Sequence, residues 1–380
     1  MSQSKENAYV GSIDLLKFFL AIAIVILHCG EVYGGEDALL PMGGIAVEVF
    51  FIISGCLMCR TAQKDALESK KTLGEDTVYF LWKKVKSILV PYCVLVVIYL
   101  ICWMYETGAD LLLEEGKKAF LLKLLDYFPN IALVYMSGVM QDVHLINIAW
   151  YVSAMLLAMA VLYPLIRHFG KNYTLIVAPV SALFLMGFMY NAADGLYKGT
   201  NEFLVFMPQG LMRAFIALNL GCVAYELAEK LRSLLLTKLS KILLTVGALF
   251  LCLVLLFVMQ YGERQSCYPL TLLMPLLIGI LFSKQMAGDA FFQNSVCTYL
   301  GRSSMYIYLY HVAVRRILLV TEVTLNYTQA LLIMLIGAFV MFVVTDLIEH
   351  AVHSLMKKHH WKLSRCFVQA ADHAEDEKKQ

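Results

Sequence analysis

The chain has 380 residues, 60% of them hydrophobic and 16% charged, with a formal net charge of +2. Soluble domains are nearer roughly 45–50% apolar and about 25% charged, so the composition excludes an ordinary soluble globular protein and leaves a polytopic membrane protein. So small a net charge gives no reason to expect a nucleic-acid partner.

A helix that crosses a bilayer needs about 20 mostly apolar residues. Ten stretches meet that need, at about 12–30, 43–60, 86–105, 148–167, 173–190, 208–228, 240–260, 269–286, 299–319 and 329–350. The fold class expected is therefore all-α, with a membrane domain over 12–350 between a short N-terminal segment, 1–11, and a tail, 351–380. Residues 119–137 are interrupted by Lys123, Asp126 and Pro129, and read as interfacial or re-entrant. No cleavable leader pattern follows the first stretch. The loop between the first two spans has no Lys or Arg, only Glu31, Glu36 and Asp37. The next, 60–87, is rich in lysine, and so are the sixth-to-seventh connection and the tail. By the positive-inside rule both termini are cytoplasmic. Lys117, Lys118 and Lys123 run against this trend on a long connection, where the rule binds less strictly.

Most of the ten cysteines sit inside apolar runs, as small buried hydrophobes do. Cys56 and Cys59 form a CxxC within a predicted span and without a second pair, so no metal or redox role is expected. The histidines near the C-terminus (His350, His353, His359 and His360) read as part of a basic membrane-surface helix rather than a metal site.

Ionisable residues inside the apolar spans are costly and rarely idle. Lys17 and His28 are eleven residues apart, which puts them about 20° apart on one helix face and roughly 16 Å apart in rise. The expected topology sorts the charges into two layers. His28, Glu48 and Arg213 fall in the outer half, with Trp150 and Tyr151 opening a span beside them. Lys17, Lys83, Lys84, Lys86 and Arg302 fall towards the inner surface. At similar depth, Glu48 would orient the imidazole of His28, a recurring arrangement for acid–base chemistry. Blander readings stand beside these. Asp14 and Lys17 form an i,i+3 ion pair, Glu48 and Arg213 pair structurally, the lysines set topology and contact anionic lipid, and Trp150 is an interfacial belt aromatic.

Six segments resemble the acyltransferase 3 family of integral-membrane acyltransferases. They are Asp14, Lys17 and His28 in the first span, AVEVFFIISGCL in the second, KKVKSILVPY before Pro91, the span opened by Trp150 and closed by Pro164, RAFIALNLGCVAYEL around Arg213, and LGRSSMYIYLYHV with Gly301, Tyr306 and His311. In this chain Lys17 stands where the family more often has arginine, and Glu48 where aspartate is common. The likeness runs from about residue 11 to 350, and the chain leaves no room for the hydrolase-like C-terminal domain of some relatives.

The resemblance implies a multi-pass protein of a bacterial cytoplasmic membrane. It implies an acyl-CoA donor, by default acetyl-CoA, no metal, and as acceptor a hydroxyl of a cell-surface or exported carbohydrate or glycolipid. His28 would be general base or acyl carrier, Glu48 its orienting partner and Arg213 the oxyanion stabiliser. Lys17, Lys83, Lys84, Lys86 and Arg302 would hold the CoA phosphates. Trp150, Tyr306 and His311 would line the substrate path, with His311 near mid-bilayer rather than beside His28. The alternative is a proton-coupled carrier or glycan exporter, which would also use an intramembrane charge track.

Overall fold

A computed structural model of the protein describes residues 10–35, 38–139, 143–193, 200 and 202–358. His359, His360 and the rest of the tail lie outside the described residues. Almost everything described is helical. The exceptions include one antiparallel pair of two-residue strands, β1 (Phe203–Leu204) and β2 (Met207–Pro208).

The long helices follow the apolar runs. They are α1 (Gly11–Cys29, continued by a π-turn, Gly30–Gly34), α2 (Ala46–Glu68) and α3 (Leu73–Trp103). Next come two short helices, α4 (Gly116–Asp126) and α5 (Phe128–Ile131), then α6 (Ala149–Phe169), α7 (Ala178–Ala193) and α8 (Gln209–Ser233). The chain continues through α9 (Lys238–Tyr261), α10 (Cys267–Ser283), α11 (Ser295–Val320) and α12 (Tyr327–Lys358). Among the described residues, nine helices are long and apolar enough to cross a membrane. The tenth expected span lies in α11, which is long enough but carries Arg302, His311, Arg315 and Arg316. Those groups are affordable because α11 is packed among other helices rather than against lipid. Helices α2, α6, α8 and α10 are likewise mostly buried, whereas α9 has only 17% of its span buried and is a lipid-facing rim helix.

Several boundaries differ from the sequence reading, and two of them move candidate site residues. Helix α3 starts thirteen residues before the expected span, because Thr72 and Glu75 form a capping box in which each side chain takes the other's backbone N–H. Lys83, Lys84 and Lys86 are therefore helical rather than in a connection. Helix α11 starts four residues early, capped by Asn294 on the Cys297 N–H. The 119–137 segment does not span. Helix α4 has 11 residues, about 16 Å of rise, too short to cross. The chain that follows is tied inward by buried Asn130, whose amide exchanges hydrogen bonds with the backbone of Ile146 and whose carbonyl accepts from Tyr92.

A backbone-to-backbone crossing joins α2 to α8. A Cβ on Gly55 would stand 2.3 Å from the Leu218 carbonyl oxygen, and one on Gly221 would stand 2.4 Å from the Ile52 carbonyl oxygen. Small residues that let backbones touch are how membrane helices gain packing without a hydrophobic drive between them. Replacing Gly55 by Val is expected to force the helices apart at a cost of about 1–3 kcal/mol or more. It should lower the melting temperature of detergent-purified protein by several degrees. Gly187→Ala on α7, which meets nothing within 4 Å, should leave it unchanged.

Candidate active site

Helices α1 and α11 run side by side in the same direction. Near the start, Gly301 of α11 lies so close to Asp14 that a Cβ there would be 2.2 Å from the Asp14 Cβ. Towards the other end the imidazoles of His28 and His311 stack, with ring centroids 5.3 Å apart and planes 16° from parallel. His311 is thus beside His28, not lower in the bundle as expected. The early start of α11 puts it sixteen residues, about 24 Å, into the helix.

The carboxylate on His28 is Glu31, not Glu48. A carboxylate only accepts, so His28 Nδ1 donates, to Glu31 Oε2 at 2.7 Å. Residues three apart share a helix face, which is how Glu31 comes under the ring. The same oxygen accepts from Arg315 Nη1 at 3.4 Å, and Arg315 is four residues beyond His311 on the same face of α11. His311 is fully buried. Its Nδ1 donates to the Ile307 carbonyl at 3.0 Å, and its Nε2 has no hydrogen-bond partner among the described residues. A depression of about 360 Å³ at this end is lined by Leu27, Glu31, Leu39 and Pro41 among others.

Glu48 is turned to Arg213. Arg213 Nε donates to Glu48 Oε1 at 2.6 Å, with the two residues 1% and 3% exposed. The glycine crossing explains the match. Glu48 is seven residues before Gly55 and Arg213 eight before Gly221, so both are about 11–12 Å from the contact on parallel helices. The guanidinium also lies over the Trp150 ring, 4.6 Å from its centroid. Trp150 is buried and is a packing surface for Arg213 rather than a belt aromatic. Tyr308 links this centre to the histidines. Its ring is 6.1 Å from His311 and 5.4 Å from Tyr151, its hydroxyl donates to the Ile148 carbonyl, and the Glu48 and Arg213 charges act on it.

At the other end, Lys17 pairs with Asp14 as its spacing predicts. The charges of Lys17 and Lys83 both act on Lys84, whose ammonium lies 5.7 Å from the Phe80 ring. Lys83 and Lys86 are exposed on α3. Arg302 does not join this group as a free cation, because it is paired with Asp346 and Glu349 of α12. Tyr306 donates to Glu349 at 2.8 Å, away from His28. Arg302 and Tyr306 are four residues apart on the α11 face that meets α12, whereas His311 and Arg315 occupy the face that meets α1. So the sequence-predicted residues fall into three groups: His28 with His311; Glu48 with Arg213 and Trp150; Lys17 with Lys83 and Lys84. Arg302 and Tyr306 form a separate tie to α12.

Residues 10–350 match the family described as "Acyltransferase domain". The chain belongs to the acyltransferase 3 family. Among curated proteins and among solved structures, nothing matches. A member of this family is an acyltransferase, and the apolar helices make this one a multi-pass membrane protein. Two residues beside the His28–His311 pair were not singled out as site residues from sequence: Glu31 and Arg315. Glu31 could have been found from its i,i+3 spacing to His28. Arg315 needed the face of α11 that meets α1.

Breaking a buried ion pair from one side leaves the other charge unmatched, at about 3–5 kcal/mol. Glu48→Leu and Arg213→Met are each expected to cut the yield of monodisperse, detergent-stable protein sharply. The double replacement should recover most of it, as read by size-exclusion chromatography and thermal unfolding.

Proposed function

We propose that the protein is an O-acyltransferase that moves an acyl group, by default acetyl, from cytoplasmic acyl-CoA to a carbohydrate hydroxyl presented at the other side of the membrane. The observation that carries this reading is the Glu31–His28 pair stacked on His311 in a chain of the acyltransferase 3 family. A carboxylate on Nδ1 fixes the tautomer and leaves Nε2 as the basic atom, and it stabilises the imidazolium that forms when a proton is taken.

In this reading both termini are cytoplasmic and the Lys17 end of the bundle faces the cytoplasm. Lys17 and Lys84, with Lys83 and Lys86 at the rim, attract the CoA phosphates. The rise of about 16 Å from Lys17 to His28 is a gap that an extended pantetheine arm bridges. The acceptor approaches from the depression beside Glu31. Its hydroxyl oxygen attacks the thioester carbonyl while His28 Nε2 takes the proton. The carbon–sulfur bond breaks, and the CoA thiolate recovers that proton from His28, leaving an ester and free CoA. Arg213, fixed by Glu48 and Trp150, stabilises the negative charge on the carbonyl oxygen. The carrier reading loses ground to membership in a family of acyltransferases.

The test is isothermal titration of CoA and acetyl-CoA consumption by the purified full chain, wild type against His28→Ala. Both should bind CoA. Only the wild type should consume the thioester, with the variant slower by about 10²–10⁴-fold. A wild type that binds no CoA overturns the donor assignment.

A further inference from the structure

Glu31 was read from sequence only as a sign that its loop lacks positive charge. In the structure it is the group in direct contact with His28 Nδ1. It sits on the π-turn that ends α1, and single π-turns mark functional positions more often than ordinary helix does. One carboxylate oxygen serves both His28 and Arg315, so the imidazole and the guanidinium are tied to a single atom. Glu31 also lines the depression at that end of the bundle. Glu31 on its own helix and His311 on α11 face His28, and Arg315 of α11 reaches the same Glu31 oxygen. From α12, Tyr327 presents its carbonyl to Cys29.

We infer that Glu31 is the positioning residue for His28, and that Arg315 holds the Glu31 carboxylate in place. The inference deepens the acyltransferase reading and rests on it for its catalytic meaning. Its direct consequence concerns His28 alone. The carboxylate anchors the ring through Nδ1 and leaves Nε2 free of that contact. Glu31→Gln weakens the anchor, and Arg315→Gln removes the second contact on the carboxylate. Both loosen His28, the first more than the second, and the shorter carboxylate of Glu31→Asp restores the anchor in part.

The experiment uses the full chain in detergent and diethylpyrocarbonate, which carbethoxylates histidine at an unprotonated ring nitrogen, with the His28 peptide followed by mass spectrometry at pH 6. Glu31→Gln should speed modification of His28 several-fold and Arg315→Gln to a smaller degree, with Glu31→Asp returning the rate towards wild type. In parallel, acetyl-CoA turnover should fall about 10–100-fold in Glu31→Gln and recover in part in Glu31→Asp. The same His28 rate in all variants, in protein whose melting temperature is unchanged, overturns the inference. Should Glu31→Gln not fold, Arg315→Gln and Glu31→Asp carry the same comparison. Faster His28 modification in Glu31→Gln, in a protein whose wild type consumes no acetyl-CoA, would leave the pairing standing and remove the acyltransferase chemistry, so the two claims fail separately.

Discussion

Glu48 and Arg213 are almost fully buried and lie on two different helices, so neither can be solvated if they part. Burying the pair costs more than their attraction returns unless the geometry is held from outside. The α2–α8 crossing holds it, because Gly55 and Gly221 let the backbones touch and so fix the register of the two helices. With that register set, Arg213 lies over Trp150 of α6, and Trp150 packs beside Phe51. Three central helices are thereby indexed to one another by one charge pair and one ring. The aromatic run through Tyr151 and Tyr308 carries that indexing to α11.

The second indexing is between α1 and α11. It has a contact at each end: Asp14 against the bare backbone of Gly301, and His28 against His311. Two well-separated contacts on parallel helices fix both their rotation and their sliding. This explains why the groups sort by face along α11. One face carries His311 and Arg315 to α1, and another carries Arg302 and Tyr306 to the carboxylates of α12. On α3, Lys83 and Lys86 are exposed, whereas Lys84 is half-buried against Phe80.

Much of this was legible in sequence, and the parts that were not have physical reasons. Apolar runs near bilayer length located the long helices, since lipid admits little else. The i,i+3 pairing of Asp14 with Lys17 was readable because both partners are on one helix. The Thr72–Glu75 capping box was present in the letters TLGE but hidden by a search for hydrophobicity, and missing it put the lysines in a loop. Pairings between helices were the real limit. Depth alone made Glu48 a fair partner for His28, yet depth gives no rotation, and the rotation of α2 is set where its Gly55 crosses Gly221 of α8, about 160 residues away in sequence. The place of His311 failed for a related reason, because four misjudged residues at the start of α11 moved it about 6 Å along the axis.

The glycine crossing has a consequence for how such a chain can vary. The contact at Gly55 is with backbone atoms of Leu218, and that at Gly221 with backbone atoms of Ile52 and Cys56, so no change of a neighbouring side chain can make room for a larger residue at either site. The two glycines are locked one against the other, and substitution at one cannot be rescued by trimming around it. The charges above them are under a different rule. Glu48 and Arg213 meet through flexible side chains, so that pair can be exchanged for another matched pair while the crossing stays as it is. Packing in this core thus tolerates drift at the ion pair and forbids it at the close backbone contact beneath, so that only a part in the reaction, as proposed for Arg213, would hold the pair itself fixed.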